Sequence, residues 1–208
     1  MPIVPEGLKL VIISYIIAAI GGIVAVWSKW VGIPIFILAF LFAGFSLYFF
    51  RDPERDKVFA PGEIACPADG TVLSVRSEDN PDVTVVRIFL SVFNVHLQRS
   101  PIDGKILSSE FTKGNFAVAY KPEAAVNQRN KIKIAFADGK VIEVEQITGA
   151  IARRIASYVK KDQEVKAGEK IGMIYFGSQV ALYLPKSVKV LVEVGEKVTA
   201  GETTIALW

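Results

Sequence analysis

Chemistry in this chain has few residues to work with. There is one histidine, His96, and one cysteine, Cys66, in 208 residues. Any imidazole that acts as a base near neutral pH must therefore be His96. The pair Gly177-Ser178 sets a serine hydroxyl one bond from a glycine carbonyl. Glycine leaves that carbonyl unhindered and accepts backbone conformations that other residues resist. A hydroxyl so placed can attack the carbonyl and exchange the peptide bond for an ester. Asp69 precedes Gly70 in a turn sequence, where its ordinary role is to close the turn through its own carboxylate. The default reading of Cys66 is a small buried side chain.

The same counts exclude several classes. One cysteine rules out a disulfide framework and a cysteine-rich metal site, and one histidine rules out multi-histidine metal centres. No metal is expected. The near balance of 24 basic and 21 acidic side chains is not the footprint of a nucleic-acid-binding domain.

Two kinds of element must position these groups. The mean hydropathy of +0.39 is high for a chain with 22% charged residues, and the excess lies at one end. Residues 1–50 hold only Glu6, Lys9 and Lys29 as charges. Segments 10–27 and 31–50 are uncharged, and each is long enough to cross about 30 Å of hydrocarbon. With only Ser28, Lys29 and Trp30 between them, they predict a helical hairpin in the membrane, in which Gly21, Gly22, Gly32, Gly44 and Pro34 allow close approach. Trp27 and Trp30 suit one interface, and Tyr48, Phe49 and Phe50 the other. Lys9, Arg51, Arg55 and Lys57 outweigh Lys29, which predicts both ends of the hairpin, and the domain that follows, on the cytoplasmic side of the cell membrane. A cleaved signal peptide fits poorly, because two apolar segments follow one another without a basic leader.

Residues 51–208 read as one mostly β domain. Runs 71–75, 83–91, 131–136, 141–147, 171–176, 179–184 and 188–194 are predicted strands. Asp138-Gly139 predicts a hairpin turn. Helices are predicted only at 149–157 and 122–128. Residues 163–169 (QEVKAGE) are echoed by 196–202 (EKVTAGE), 33 positions on. Such units resemble the halves of barrel-sandwich hybrid folds, as in biotinyl and lipoyl carrier domains, but no carrier lysine motif is present. The expected fold is therefore mostly β (α+β), a barrel-sandwich-hybrid-like domain behind a transmembrane hairpin.

Taken together, RDPER (51–55), PADG (67–70), NVHLQRSPIDG (94–104), GNF (114–116), NQRN (127–130), GAIARRI (149–155) and FGS (176–178) resemble the phosphatidylserine decarboxylases in their short, membrane-anchored form. The resemblance runs from about Arg51 to Trp208. It implies a proenzyme that cuts itself at Gly177/Ser178 into chains 1–177 and 178–208, which stay together as a heterodimer. It implies that Ser178 becomes a covalent pyruvoyl group, with His96 as base and Asp69 orienting and charge-stabilising His96. It further implies that the pyruvoyl ketone forms a Schiff base with the serine amine of the phospholipid, so that carbon dioxide can leave. Arg99, Arg129, Arg153 and Arg154 become candidates for the lipid phosphate or carboxylate, and a homodimer is plausible. Two features depart from the family pattern. Phe93 stands where many relatives have a second histidine, which leaves the proton donor to the product open, and Gln179 follows the serine. The same chemistry on archaetidylserine, with ether-linked tails, fits the sequence equally. A membrane-anchored hybrid-barrel binding module that does not cut itself is a further alternative. A membrane serine peptidase lacks its Gly-x-Ser-x-Gly elbow.

Overall fold

The computed structural model describes residues 2–117, 126–136, 139–150, 154–175 and 178–208. The chain divides into two compact units, Met1–Glu54 and Arg55–Trp208.

The first unit is a hairpin of α1 (Pro5–Trp27) and α2 (Lys29–Phe49), each long and apolar enough to cross a membrane. Only Ser28 lies outside the helices, a tighter turn than the three residues expected. Its extended backbone ends one helix and begins the next: its N–H bonds to the Val24 carbonyl, and its own carbonyl accepts from Val31 and Gly32. Pro5 costs α1 nothing, because the first-turn N–H has no partner within a helix. A Cβ built on Gly21 would lie 2.6 Å from the Phe36 nitrogen, and one on Gly32 2.1 Å from the Ala25 nitrogen. The two backbones thus meet where only glycine fits. Gly22 and Gly44 take no such part: the nearest atom to a Gly22 Cβ is a Phe36 ring carbon at 3.8 Å, and nothing lies within 4 Å of Gly44. Val4 donates to the Phe50 carbonyl at 3.0 Å, tying the open end together.

The second unit is built from strands, in chain order β1 (Glu63–Ala65), β2 (Gly70–Arg76), β3 (Val83–Leu90), β4 (Leu97–Arg99), β5 (Gly104–Thr112), β6 (Arg129–Ala135) and β7 (Val141–Thr148). They continue as β8 (Ile155–Ser157), β9 (Glu164–Val165), β10 (Lys170–Ile174), β11 (Ser178–Pro185), β12 (Lys189–Val190), β13 (Lys197–Val198) and β14 (Thr204–Leu207). Eight form a curled half-barrel sheet in the order β13-β2-β3-β11-β7-β6-β5-β9, flanked by two small sheets, β1-β14-β12 and β4-β10-β8.

This order is the same under exchange of two strand sets. The strands β4 to β10 match, one for one, β1, β2, β3, β11, β12, β13 and β14. The fold is thus an internal duplicate in which one copy is inserted whole between β3 and β11 of the other. Local bonds repeat as well. Ala200 N–H donates to Asp69 Oδ1 at 2.8 Å, and Ala167 N–H to Asp103 Oδ1 at 2.7 Å. Gly70 and Gly104 face the Phe89 and Ala135 carbonyls, 2.2 and 2.3 Å from where a Cβ would stand. The repeat seen at 163–169 and 196–202 is one visible part of this duplication. Its turn glycines, Gly168 and Gly201, have φ of +82° and +67°.

Alternation places Val86, Ile88, Ile132, Ile134, Ile142, Val144, Val180 and Leu182 in one core. Each such burial contributes about 1.5–3 kcal/mol. Several sequence expectations change. Residues 155–157 of the expected helix 149–157 are strand β8, and 151–153 lie outside the described residues. Of the expected helix 122–128, residues 122–125 also lie outside, and Asn127 forms a bridge with Asn115. The strand expected over 188–194 is only Lys189–Val190. The long strand β5 escapes a hydrophobic search because Lys105, Ser108, Ser109 and Glu110 do not alternate with apolar residues and a bulge falls between Ile106 and Ser108. The β6–β7 hairpin is present, with Gly139 at φ +73°; Asp138 lies outside the described residues.

Candidate active site

Ser178 is the first residue of β11, where the chain returns from the inserted copy. Its backbone pairs with Leu90 of β3 on one side and Thr148 of β7 on the other. The residue is fully buried, and its Oγ has no hydrogen-bond partner among the described residues. A buried hydroxyl without a partner costs about 1–3 kcal/mol. Gly177, the other half of the expected cut, lies outside the described residues. The serine end of that bond is thus held by two neighbouring strands while its nucleophile is unengaged.

His96 closes the loop that leaves β3 at Leu90. Asn94 shapes this loop: its Oδ1 accepts from the Ser91 N–H and hydroxyl, both at 2.9 Å. The His96 ring is fully buried, with Nδ1 3.0 Å from the Asn94 carbonyl. A carbonyl only accepts, so Nδ1 carries the hydrogen and Nε2 carries the basic lone pair. The carbonyl of His96 takes the Ile174 N–H at 3.2 Å, four residues before Ser178. The two groups therefore flank one junction: Ser178 pairs with the residue that opens the His96 loop, and His96 bonds to the strand that leads into Ser178.

A chain of buried amides holds His96 from behind. Gln98 Nε2 donates to the His96 carbonyl at 2.8 Å, Gln146 Nε2 to Gln98 Oε1 at 2.7 Å, and Asn130 Nδ2 to Gln146 Oε1 at 2.9 Å. Gly172 gives this chain its room, since a Cβ there would stand 2.6 Å from Gln146 Nε2. Sequence reasoning missed these residues. Gln98 and Asn130 lie within quoted motifs, but nothing local marks Gln146 as their partner.

Asp69 sits in the turn before β2. Its Oδ1 takes the Ala200 N–H, and its Oδ2 lies 3.1 Å from Arg55 Nη2, whose other terminal nitrogen is 3.1 Å from Glu202. The Ala200 bond belongs to the scaffold, because Asp103 makes the same bond in the other copy. The ion pair with Arg55 sets Asp69 apart. At His96 Nδ1 the orienting group is the Asn94 carbonyl.

The four arginines divide. Arg99 is buried and donates from Nη1 to the Gly168 carbonyl at 2.8 Å, bracing the two glycine turns. Arg129 lies 3.3 Å from the buried carboxylate of Glu145, which also accepts the Tyr183 hydroxyl at 2.9 Å. Burial and that carboxylate push the Tyr183 phenol above its ordinary range. Arg154 is exposed, with its guanidinium 5.7 Å from the centre of the Tyr175 ring. Arg153 lies outside the described residues. Cys66 is buried, its Sγ 3.1 Å from the Ala68 carbonyl, and burial pushes its thiol up to about 12. That leaves almost no thiolate at neutral pH. No group of three or more metal-ligating side chains occurs among the described residues.

Residues 42–206 match the family model described as phosphatidylserine decarboxylase. The phosphatidylserine decarboxylase proenzyme of Prosthecochloris aestuarii is 43% identical over 181 residues, covering 85% of this chain and 83% of the relative. The proenzymes of Burkholderia vietnamiensis and Burkholderia lata are each 38% identical over 200 residues, covering 94% of this chain and 89% of the relative.

Proposed function

The chain belongs to the phosphatidylserine decarboxylase family, a family of carboxy-lyases, and from that premise we propose that it cuts itself at Gly177/Ser178 and then decarboxylates phosphatidylserine to phosphatidylethanolamine. The observation that carries the reading is the buried, unpartnered Ser178 hydroxyl at the head of β11. A hydroxyl bound to a neighbour would first have to break that bond; this one is ready to attack.

In the first step Ser178 Oγ adds to the Gly177 carbonyl and the amide nitrogen leaves, so that an ester replaces the peptide bond. His96 Nε2 then takes the α-proton of Ser178. Elimination releases the Gly177 carboxylate and leaves a dehydroalanine. Water hydrolyses this to a pyruvoyl group and ammonia. The Asn94 carbonyl keeps the imidazole in the required tautomer, and the Asp69 carboxylate favours the imidazolium that forms. Once formed from Ser178, the pyruvoyl group supplies a carbonyl that can draw electrons from the breaking Cα–carboxylate bond. The site fits it, because the carbon that becomes the ketone is fixed by the pairing of Ser178 with Leu90 and Thr148. Arg154 is the remaining described candidate for the lipid phosphate.

After the cut, chain 178–208 would stay bound. Its first strand, β11, is central in the sheet, and β13 and β14 pair with β2 and β1 of the long chain. Intact mass of the purified protein tests the cut: chains 1–177 and 178–208 are expected, the short one lacking a free amino terminus. A single uncut chain, or a short chain that begins with a free serine, refutes the proposal. The basic residues flanking the hairpin support a cytoplasmic side for the domain. Labelling of Trp30→Cys by a membrane-impermeant reagent in intact cells checks that side, since the turn would then face outward.

A further inference from the structure

We propose that Gln98 and Gln146 are positioning residues for the self-cutting reaction, and that the hydrogen bond between them sets His96 against Ser178. The inference rests on the self-cutting reading of Ser178 and names residues that act on it at one remove. The two reacting groups belong to different sheets. His96 precedes β4 in the small sheet β4-β10-β8, and Ser178 opens β11 in the half-barrel sheet. Gln98 lies in β4, and its Nε2 donates to the His96 carbonyl at 2.8 Å. Gln146 lies in β7, beside Val180 of β11, in the register that also sets Thr148 beside Ser178. The 2.7 Å bond from Gln146 Nε2 to Gln98 Oε1 therefore crosses from the sheet of the serine to the sheet of the histidine. Asn130 Nδ2 fixes the Gln146 amide from its other side at 2.9 Å.

The duplicated fold supplies an internal comparison. Gly172 pairs with Gln98 in one copy as Ala206 pairs with Ile64 in the other. Asn130 pairs with Gln146 as Thr84 pairs with Leu184. Gln98, Gln146 and Gly172 thus occupy the places of Ile64, Leu184 and Ala206, and those three lie in the apolar core. Gly62 takes the place of His96: the Trp208 N–H bonds to the Gly62 carbonyl as the Ile174 N–H bonds to that of His96. The copy without the imidazole packs these places with apolar side chains, so holding the scaffold together does not require amides there. Gln98 and Gln146 are nonetheless fully buried. Exchanging both partners of such a bond for apolar groups of like shape costs little stability. What the amides add is geometry, because a hydrogen bond constrains length and direction whereas apolar contact is non-directional. The missing methyl at Gly172 admits the Gln146 amide, which stands 2.6 Å from where a Cβ would be.

The test puts the other copy's residues behind His96: Gln98→Ile, Asn130→Thr and Gln146→Leu together, in the full detergent-solubilised chain. The three amides leave as a set, Ser109 keeps its contact with Ser157, and the His96 carbonyl keeps the Ile174 N–H. Cutting is expected to slow by about 10²-fold, the cost of a misplacement of about 1 Å. Tm should stay within about 4 °C of the native value. Cutting at the native rate overturns the proposal. A larger fall in Tm, or a chain that does not fold, also overturns it, because the amides would then serve the scaffold. The His96 ring gives a readout independent of cutting. As the only imidazole, it contributes one pair of ring-nitrogen signals when histidine is labelled with nitrogen-15. In Ser178→Ala, which stays whole, that pair should be that of the Nδ1–H tautomer. Adding the triple exchange should move it toward a mixture of tautomers, and an unchanged pair overturns the proposal even where cutting slows. The native chain run alongside separates the two readings: if it is not cut the self-cutting reading fails, and the ring signals still decide for or against the positioning role.

Discussion

The energetic state of the Ser178 hydroxyl can be measured by comparing two chains that should both remain uncut, His96→Asn and His96→Asn with Ser178→Ala. They differ by a single oxygen. In the structure that oxygen is fully buried and has no hydrogen-bond partner among the described residues. An orphaned buried hydroxyl costs about 1–3 kcal/mol. Alanine keeps the Cβ, and the backbone pairing with Leu90 and Thr148 does not involve the side chain. The double variant is therefore expected to be the more stable by about 1–3 kcal/mol. In a domain of this size each kcal/mol moves Tm by about 2–4 °C, so an increase of about 2–12 °C should appear in calorimetry of the solubilised protein. An equal or lower Tm would mean that the oxygen is satisfied in the folded chain, and the argument for a nucleophile held ready would fail. Cleavage of the His96→Asn chain at the normal rate would refute His96 as the base.

Other outcomes follow from the same site. His96→Ala should slow cutting by about 10²–10⁴-fold. Asp69→Asn should slow the cutting as well; a time course of cutting by purified proenzyme checks both. Gln146→Ala strips the bonds from Gln98 Oε1 and Asn130 Nδ2, two buried groups, and should destabilise the domain by about 2–6 kcal/mol in urea unfolding. The Cys66 thiol, pushed by burial from 9.0 to about 12, keeps its proton over a range where the unfolded chain loses it. Its contribution is therefore complete below pH 9 and falls as pH rises toward 12, on the order of 4 kcal/mol in all. Cys66→Ala should flatten that part of the stability–pH curve, and native Cys66 should resist alkylation at pH 8 until the chain unfolds.

The apolar helical hairpin was legible in the sequence because length and unbroken apolarity are both properties of a short window. The main strands were legible for a similar reason, since alternation such as Val141 to Ile147 is a local pattern. His96 needed no structure to be singled out as the only imidazole, and Ser178 and Asp69 followed from motifs resembling a known family. What only the tertiary structure decided was pairing. The β11 strand lies between β3 and β7, so Leu90 and Thr148 fix Ser178 from positions 88 and 30 residues earlier in the chain. No local window contains that arrangement, and none contains the amide chain that joins Gln98, Gln146 and Asn130 behind His96. The duplication is hard to see in the sequence because one copy is inserted inside the other and only short turn motifs repeat visibly, QEVKAGE with EKVTAGE and PADG with PIDG; strands tolerate substitution as long as alternation is kept, whereas a backbone at positive φ favours glycine strongly. The roles of Arg55 and Arg99 were decided in the same way. Both side chains look like free cations in a sequence, and folding places one against Asp69 and the other under the Gly168 turn, because a buried charge must find partners.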